Sequence, residues 1–216
     1  MKALVIGATG ATGKELIEEL LRDSDFDSVH AFSRRPLDFS DPKLHVDIVN
    51  FERPQDWKSQ LKGDVAFSCL GTTLKAAGGK LSQRKVDFDY QLDFAKGCRE
   101  NEVPHFVLIS SYGANQNSKV FYSKMKGELE EEIRALEFEK LTIFQPGMLE
   151  RKMSDRPGEV LGASVLKFLN RLHLLRKLRP LQTSTLAQAM VHSAKIKSKG
   201  ESVISLASIF SLAKKP

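Results

Sequence analysis

The sequence predicts an α/β fold built on one doubly wound parallel sheet of about seven strands, and three observations carry that expectation. Short apolar runs alternate with longer stretches whose apolar residues recur at helical spacing. The first run, Ala3-Leu4-Val5-Ile6, passes directly into Gly7-Ala8-Thr9-Gly10-Ala11-Thr12-Gly13. A helix pattern follows at once, with Leu16, Ile17, Leu20 and Leu21 on one face. At 216 residues the chain suits one domain with a large core, so residues 1–216 are read as a single unit.

Strand, glycine turn and helix in that order give the glycines a task. A residue without Cβ takes tight-turn dihedrals and lets the backbone approach a ligand closely. The helix that begins there presents unpaired N–H groups and the positive end of its dipole, a suitable seat for a pyrophosphate. The spacing is Gly-x-x-Gly-x-x-Gly rather than the familiar Gly-x-Gly-x-x-Gly, but its place on the first strand is where a dinucleotide site belongs. Gly7, Thr9, Gly10, Ala11, Thr12 and Gly13 are therefore candidate cofactor-binding residues. The plain alternative is an ordinary strand-to-helix turn.

Composition bounds the rest. Hydrophobic residues at 41% and charged residues at 28% describe a globular protein. The apolar run before the glycines is too short for a signal sequence, and no stretch approaches a membrane span, so a cytoplasmic location is expected. Cys69 and Cys98 lack the spacing and neighbours of a metal site; they read as reduced core thiols, and no metal is expected. The net charge is +6. Part of the excess lies between 151 and 179, where Arg151, Lys152, Arg156, Lys167, Arg171, Arg176, Lys177 and Arg179 face only Asp155 and Glu159. Such a charge suits nucleic acid, an acidic membrane or a ligand with several phosphates. No nucleic-acid module accompanies it, so nucleic acid is not expected and a small-molecule substrate is.

Ser28-Val29-His30-Ala31-Phe32-Ser33 reads as the second strand, ending at Arg34-Arg35-Pro36. A site for NAD places an acidic residue about 20 positions past the glycines, to receive a ribose hydroxyl. Here arginine stands in that region, and its guanidinium pairs with a 2′-phosphate but cannot accept a hydrogen bond. Ser33, Arg34 and Arg35 thus point to NADP(H), the alternative being solvated arginines before a proline. Leu44-His45-Val46-Asp47-Ile48 gives the third strand, whose end makes Asp47 and Ile48 candidate adenine contacts or else a loop carboxylate and a core isoleucine.

Residues 64–71 read as the fourth strand, ending in Cys69, Leu70 and Gly71, small enough at its end for a cofactor to pass over the backbone. A long polar loop is expected at 72–83, then a helix over about 83–101. Pro104 to Ile109 reads as the fifth strand, with His105 at its structural start. Ser110-Ser111-Tyr112-Gly113 stands at its carboxyl end, where open α/β sheets carry their chemistry. Asn117 or Ser118 is placed to cap the next helix, in which Tyr122 and Lys126 share a face four residues apart. A nearby ammonium favours a phenolate, so Lys126 is expected to draw Tyr122 toward the working range of an acid or base. Ser111 is positioned to hold a substrate carbonyl.

These motifs, with Cys69-Leu70-Gly71-Thr72-Thr73, Val86-Asp87-Phe88-Asp89-Tyr90, Tyr122-Ser123-Lys124-Met125-Lys126-Gly127-Glu128 and Pro146-Gly147, resemble the short-chain dehydrogenase/reductases in their atypical branch. Cys-Leu-Gly-Thr-Thr and Arg156-Pro157-Gly158-Glu159 are most similar to its Tat-interacting oxidoreductase-like group. The resemblance covers most of the chain and implies a Rossmann-type fold, NADP(H) as cofactor, and Ser111, Tyr122 and Lys126 as the catalytic set. It also implies that Lys126 holds the nicotinamide ribose and that Pro146 and Gly147 touch the nicotinamide. The interval from Ser111 to Tyr122 is short for that family, which leaves Ser110 as an alternative hydroxyl. The implied activity is oxidoreduction of a small carbonyl or alcohol; a regulator that senses NADP(H) without turnover, and a protein partner, remain open.

Residues 141–147 read as the sixth strand and its exit. Leu161, Val165, Phe168, Leu169, Leu172 and Leu175 outline an amphipathic helix within a substrate-side cap of about 148–182. A helix over 183–194 and a strand over 202–206 complete the expectation.

Overall fold

The computed structural model describes residues 1–38, 40–150 and 180–214. β1 (Lys2–Ile6) is central, and its residues Ala3 to Ile6 are fully buried. Leu4 and Ile6 enter one hydrophobic core while Ala3 and Val5 enter another. A strand covered on both faces needs apolar residues at every position, which is why its sequence does not alternate.

Six further strands join it: β2 (Ser28–Ser33), β3 (Leu44–Ile48), β4 (Val65–Ser68), β5 (His105–Ile109), β6 (Lys140–Gln145) and β9 (Gly200–Ser205). The order is β3-β2-β1-β4-β5-β6-β9 and every pairing is parallel. The chain winds outward from β1 in one direction through β3, then returns to β4 and winds the other way. The carboxyl ends of β1 and β4 therefore flank the crevice where a doubly wound sheet binds its ligand.

On one face lie α1 (Ala11–Arg22), α6 (Thr183–Lys195) and α7 (Ala207–Ala213), through Leu16, Ile17, Leu20, Leu186, Met190 and Ile209. On the other lie α4 (Tyr90–Glu100) and α5 (Phe121–Arg134), through Phe94, Cys98, Met125, Leu129 and Ile133. His105 is buried, bonded to Thr142 Oγ1 at 3.0 Å, and pushed down to about 3 by burial and by Lys140. It is a neutral core imidazole at the amino end of β5.

The structure departs from the sequence reading in several places. Residues 72–83 are not a loop: α2 (Leu74–Ala77) and α3 (Lys80–Arg84) occupy most of it. Thr73 caps α2 by accepting from Ala76 N–H at 3.2 Å, and Gly78 ends it in the left-handed region. The helix expected from about residue 83 opens with a π turn, Lys85–Asp89, before α4. α5 starts later than the Asn117 or Ser118 cap implied: Val120 is its N-cap, and Ser118 Oγ accepts from Val120 N–H at 3.1 Å. A two-stranded parallel pair, β7 (Leu149–Glu150) with β8 (Leu181–Gln182), was not legible because each strand is only two residues long. The amphipathic helix of 161–175, the motif at 156–159 and the basic stretch of 151–179 lie outside the described residues.

Candidate functional site

The glycine turn is a contact between main chains. Gly7 takes φ +80°, and a Cβ there would lie 2.4 Å from the carbonyl carbon of Cys69. A Cβ on Gly13 would lie 2.1 Å from Gly7 O, so the first turn of α1 rests directly on the exit of β1. Gly10 N–H bonds Gly7 O at 2.9 Å, and no side chain caps α1. The uncapped amide end carries the partial positive charge that suits a pyrophosphate.

Three clefts meet above this turn. One of about 340 Å³ is lined by Ser33, Arg34, Arg35, Phe32 and Phe51 together with Gly7 and Thr9. A second, of about 390 Å³, shares Gly7, Thr9, Arg34 and Leu70 with the first and adds Lys85 and Tyr90. The third, of about 460 Å³, shares Thr9, Gly10, Cys69, Leu70, Gly71 and Thr72 with the second, and extends to Ser110, Ser111, Tyr122, Lys126, Pro146 and Gly147. They form one groove with arginines at one end and the Ser, Tyr and Lys set at the other. Ala11 and Thr12 line the third cleft as well, while Gly13 lines none and acts through packing.

Asp47 and Ile48 stand apart from the groove. The Asp47 carboxylate faces His30 Nδ1 at 3.9 Å, and Ile48, paired with Ser33 at the end of β2, is exposed; neither lines the three clefts. Phe51 forms the wall expected of them, stacked on Tyr90 with ring centroids 5.4 Å apart. Tyr90 donates to Glu52, which also pairs with Lys85.

At the far end the two serines differ. Ser110 is buried and its hydroxyl donates to Glu130, which also accepts from Gln145 Nε2 at 3.0 and 3.1 Å and pairs with Arg134 at 3.5 Å. Ser111 makes only a long 3.4 Å contact to Tyr112 O. Lys126 is buried and its Nζ donates to Ile109 O at 2.9 Å. Burial pushes the Lys126 ammonium down to about 8, opposed by Asp87 and Glu130. Tyr122 is 37% exposed, at the mouth of the cleft, and is pushed up to about 12 by desolvation against the surrounding protein and by the charge of Asp87. The sequence reading had Lys126 drawing the phenol toward neutrality; desolvation and a neighbouring carboxylate act in the opposite sense.

Asp87 is the member of this site that sequence reasoning did not single out as a site residue. It is buried in the π turn, lines the third cleft, and its Oδ2 accepts from Thr72 N–H at 2.8 Å. A carboxylate inside an otherwise apolar helix face was the available signal. Burial pushes the Cys69 thiol up, so it is no thiolate nucleophile at neutral pH. Among the described residues no group of three or more His, Cys, Asp or Glu side chains could hold a metal ion, and no helix is long and apolar enough to cross a membrane.

A seven-stranded parallel sheet with a backbone cradle at its switch point and a groove running across it defines a nucleotide-binding fold of the Rossmann type. The NAD(P)H-binding family matches residues 7–165. Protein HTATIP2 of Rattus norvegicus is 39% identical over 161 residues, 72% of this chain and 66% of that protein. Mitochondrial FMP52 of Debaryomyces hansenii is 38% identical over 73% of this chain and 71% of its own, and that of Saccharomyces cerevisiae 37% over the same shares. The chain belongs to the NAD(P)H-binding family, in the group that contains these relatives. Among solved structures, MoeE5 in complex with UDP-glucose and NAD superposes with TM-score 0.72 at 17% identity, over 99% of this chain and 81% of that one. UDP-glucuronic acid 4-epimerase from Bacillus cereus gives 0.68 at 15%, over 95% and 76%. These share the fold. The names of the FMP52 relatives correct one expectation: a purely cytoplasmic assignment conflicts with homologues named mitochondrial.

Proposed function

We propose that the chain is an NADP(H)-dependent oxidoreductase that exchanges hydride with a small carbonyl compound or its alcohol. One observation carries this reading: a single groove joins Arg34 and Arg35 to Ser111, Tyr122 and Lys126 across a bed made of main chain. That bed fits a pyrophosphate, since a Cβ at Gly7 or Gly13 would already collide with neighbouring backbone. When bound, the dinucleotide supplies or receives the hydride.

The remaining work falls to this chain's side chains. Arg34 presents forked donors to the 2′-phosphate that distinguishes NADP from NAD. Ser33 Oγ accepts from Arg35 N–H at 3.4 Å and shapes the turn that carries both arginines. Lys126, anchored to Ile109 O, has two N–H bonds left for ribose hydroxyls. Ser111 is the hydroxyl not already committed to a carboxylate and bonds the substrate carbonyl. Tyr122 is protonated throughout the neutral range, so it acts as proton donor to that oxygen in the reductive direction. Pro146 and Gly147 close the groove beside the reacting ring.

Equilibrium titration with NADPH and NADH tests the cofactor assignment. NADPH is expected to bind more tightly, and Arg34→Ala to lose roughly 10- to 100-fold in NADPH affinity, the value of a charged hydrogen bond. Equal affinities in the wild type would refute the preference. A screen of carbonyl compounds following NADPH oxidation tests turnover, and undiminished turnover in Tyr122→Phe would remove Tyr122 as the acid. NADPH binding without turnover of any substrate supports a cofactor-binding regulator instead.

A further inference from the structure

The helical run from Lys80 to Glu100 is interrupted by the π turn at Lys85–Asp89. Such turns carry an extra residue and often aim a side chain at a site. Here Asp87 and Phe88 point inward while Lys85 and Asp89 stay exposed. The turn is built to hold this position: Gln91 Nε2 donates to Asp87 O at 2.8 Å, and Ser68 Oγ, on the last residue of β4, donates to Gln91 Oε1 at 2.8 Å. Gln83 Nε2 donates to Thr72 O at 3.2 Å while Asp87 Oδ2 accepts from Thr72 N–H, so both main-chain groups of Thr72 are fastened to this helix.

Asp87 is only 1% exposed and among the described residues its carboxyl has one hydrogen bond, an unusual economy for a buried carboxylate. The charged groups facing it can be taken element by element. From α5 come Tyr122 and Lys126, while Glu130, which acts on Lys126 from its other side, gathers Ser110, Gln145 and Arg134. From α3, Arg84 turns to Glu128 at 2.6 Å and lies over the Phe88 ring. In the π turn itself, Lys85 turns to Glu52, and from the end of β4 the Cys69 thiol is neutral. Asp87 is thus a buried carboxyl pushed up to about 6 by burial, against the charge of Lys126 and the Thr72 N–H, at the cavity that holds Tyr122 and Lys126.

We propose that Asp87 is a positioning residue for the Tyr122 and Lys126 pair: its buried carboxylate fixes the charge state of both from across the cavity and pins the turn after β4 beside them. A negative charge there opposes a phenolate on Tyr122 and sustains the ammonium on Lys126. The consequence for catalysis rests on the oxidoreductase reading; the electrostatic role does not.

The chain has three tyrosines, Tyr90, Tyr112 and Tyr122, which makes their ionisation measurable by ultraviolet absorbance. Wild type and Asp87→Asn are titrated, each against its Tyr122→Phe counterpart so that the difference isolates Tyr122, with circular dichroism marking the loss of fold. Asparagine keeps an acceptor for Thr72 N–H and removes the charge. Tyr122 is expected to ionise about one pH unit or more lower in Asp87→Asn, and at its wild-type pH in Asp87→Glu. An unmoved step in Asp87→Asn would overturn the proposal. Where alkaline unfolding comes before the step in both proteins, the pH dependence of NADPH affinity decides: its alkaline limb shifts to lower pH in Asp87→Asn, and a limb that stays in place overturns the proposal. A wild type that binds no NADPH would refute the functional reading while leaving the tyrosine titration to judge Asp87 independently.

Discussion

Replacing Gly127 with alanine would place a methyl group 2.2 Å from the amide nitrogen of Gln116, 2.3 Å from Asn115 C and 2.6 Å from Asn115 Cα. Carbon contacts become favourable only near ~3.5 Å, so α5 and the 115–116 turn would have to separate by roughly 1 Å. All three obstructing atoms are main chain, which leaves no rotamer to relieve the clash. The turn is also tied to the helix by Asn115 N–H donating to Ser123 O at 2.9 Å. Overpacking of this kind costs about 1–3 kcal/mol, equivalent in a chain of this size to a fall in Tm of roughly 2–12 °C. Gly127 follows Lys126 directly and lies five residues after Tyr122, so the same displacement moves both relative to β5. A misplacement of about 1 Å costs about 100-fold in a positioned reaction. Thermal unfolding and fluorescence titration with NADPH measure the two effects. A variant with unchanged Tm and unchanged NADPH affinity would refute the claim that this glycine sets the seat of α5.

Two further outcomes follow from the buried charges. NADPH affinity should be level near neutral pH and weaken above about pH 8, where Lys126 loses the proton that burial makes easier to remove; the slope approaches tenfold per pH unit. A limb that persists in Lys126→Met assigns it to another group. Glu130→Ala should destabilise the chain by about 3 kcal/mol in urea unfolding, because it leaves Ser110, Gln145 and Arg134 without their shared acceptor; a loss below ~1 kcal/mol would show that the network carries little stability.

The middle of the sheet was legible because its central strands are buried on both faces. Runs such as Ala3 to Ile6 and Phe106 to Ile109 have no polar alternation to confuse, and glycines or prolines punctuate them. The chemistry at 122 and 126 was legible because helical spacing alone puts the two side chains on one face. What failed was whatever depends on partners distant in sequence. α2 and α3 hide in a polar stretch since their order comes from Thr73, Gln83 and Asp87 rather than from apolar periodicity. Asp47 and Ile48 could not be placed from the strand alone, because the wall of the cleft beside β2 comes from the chain after the strand, at Phe51, and not from the strand end itself. The direction in which Tyr122 shifts was misread for a related reason: i to i+4 spacing reveals Lys126, but only the folded chain brings Asp87 beside them.

The collision distances around Gly7 and Gly13 separate two kinds of change in this molecule. At these two glycines the contact is main chain on main chain, so substitution there can only subtract. Cofactor preference and substrate choice are consequently confined to the two ends, to Arg34, Arg35 and Phe51 on one side and to Ser111, Tyr122 and Gly147 on the other. Because the ends are supplied by different strands and loops, one can be redesigned without disturbing the other, and substitutions at opposite ends should combine additively.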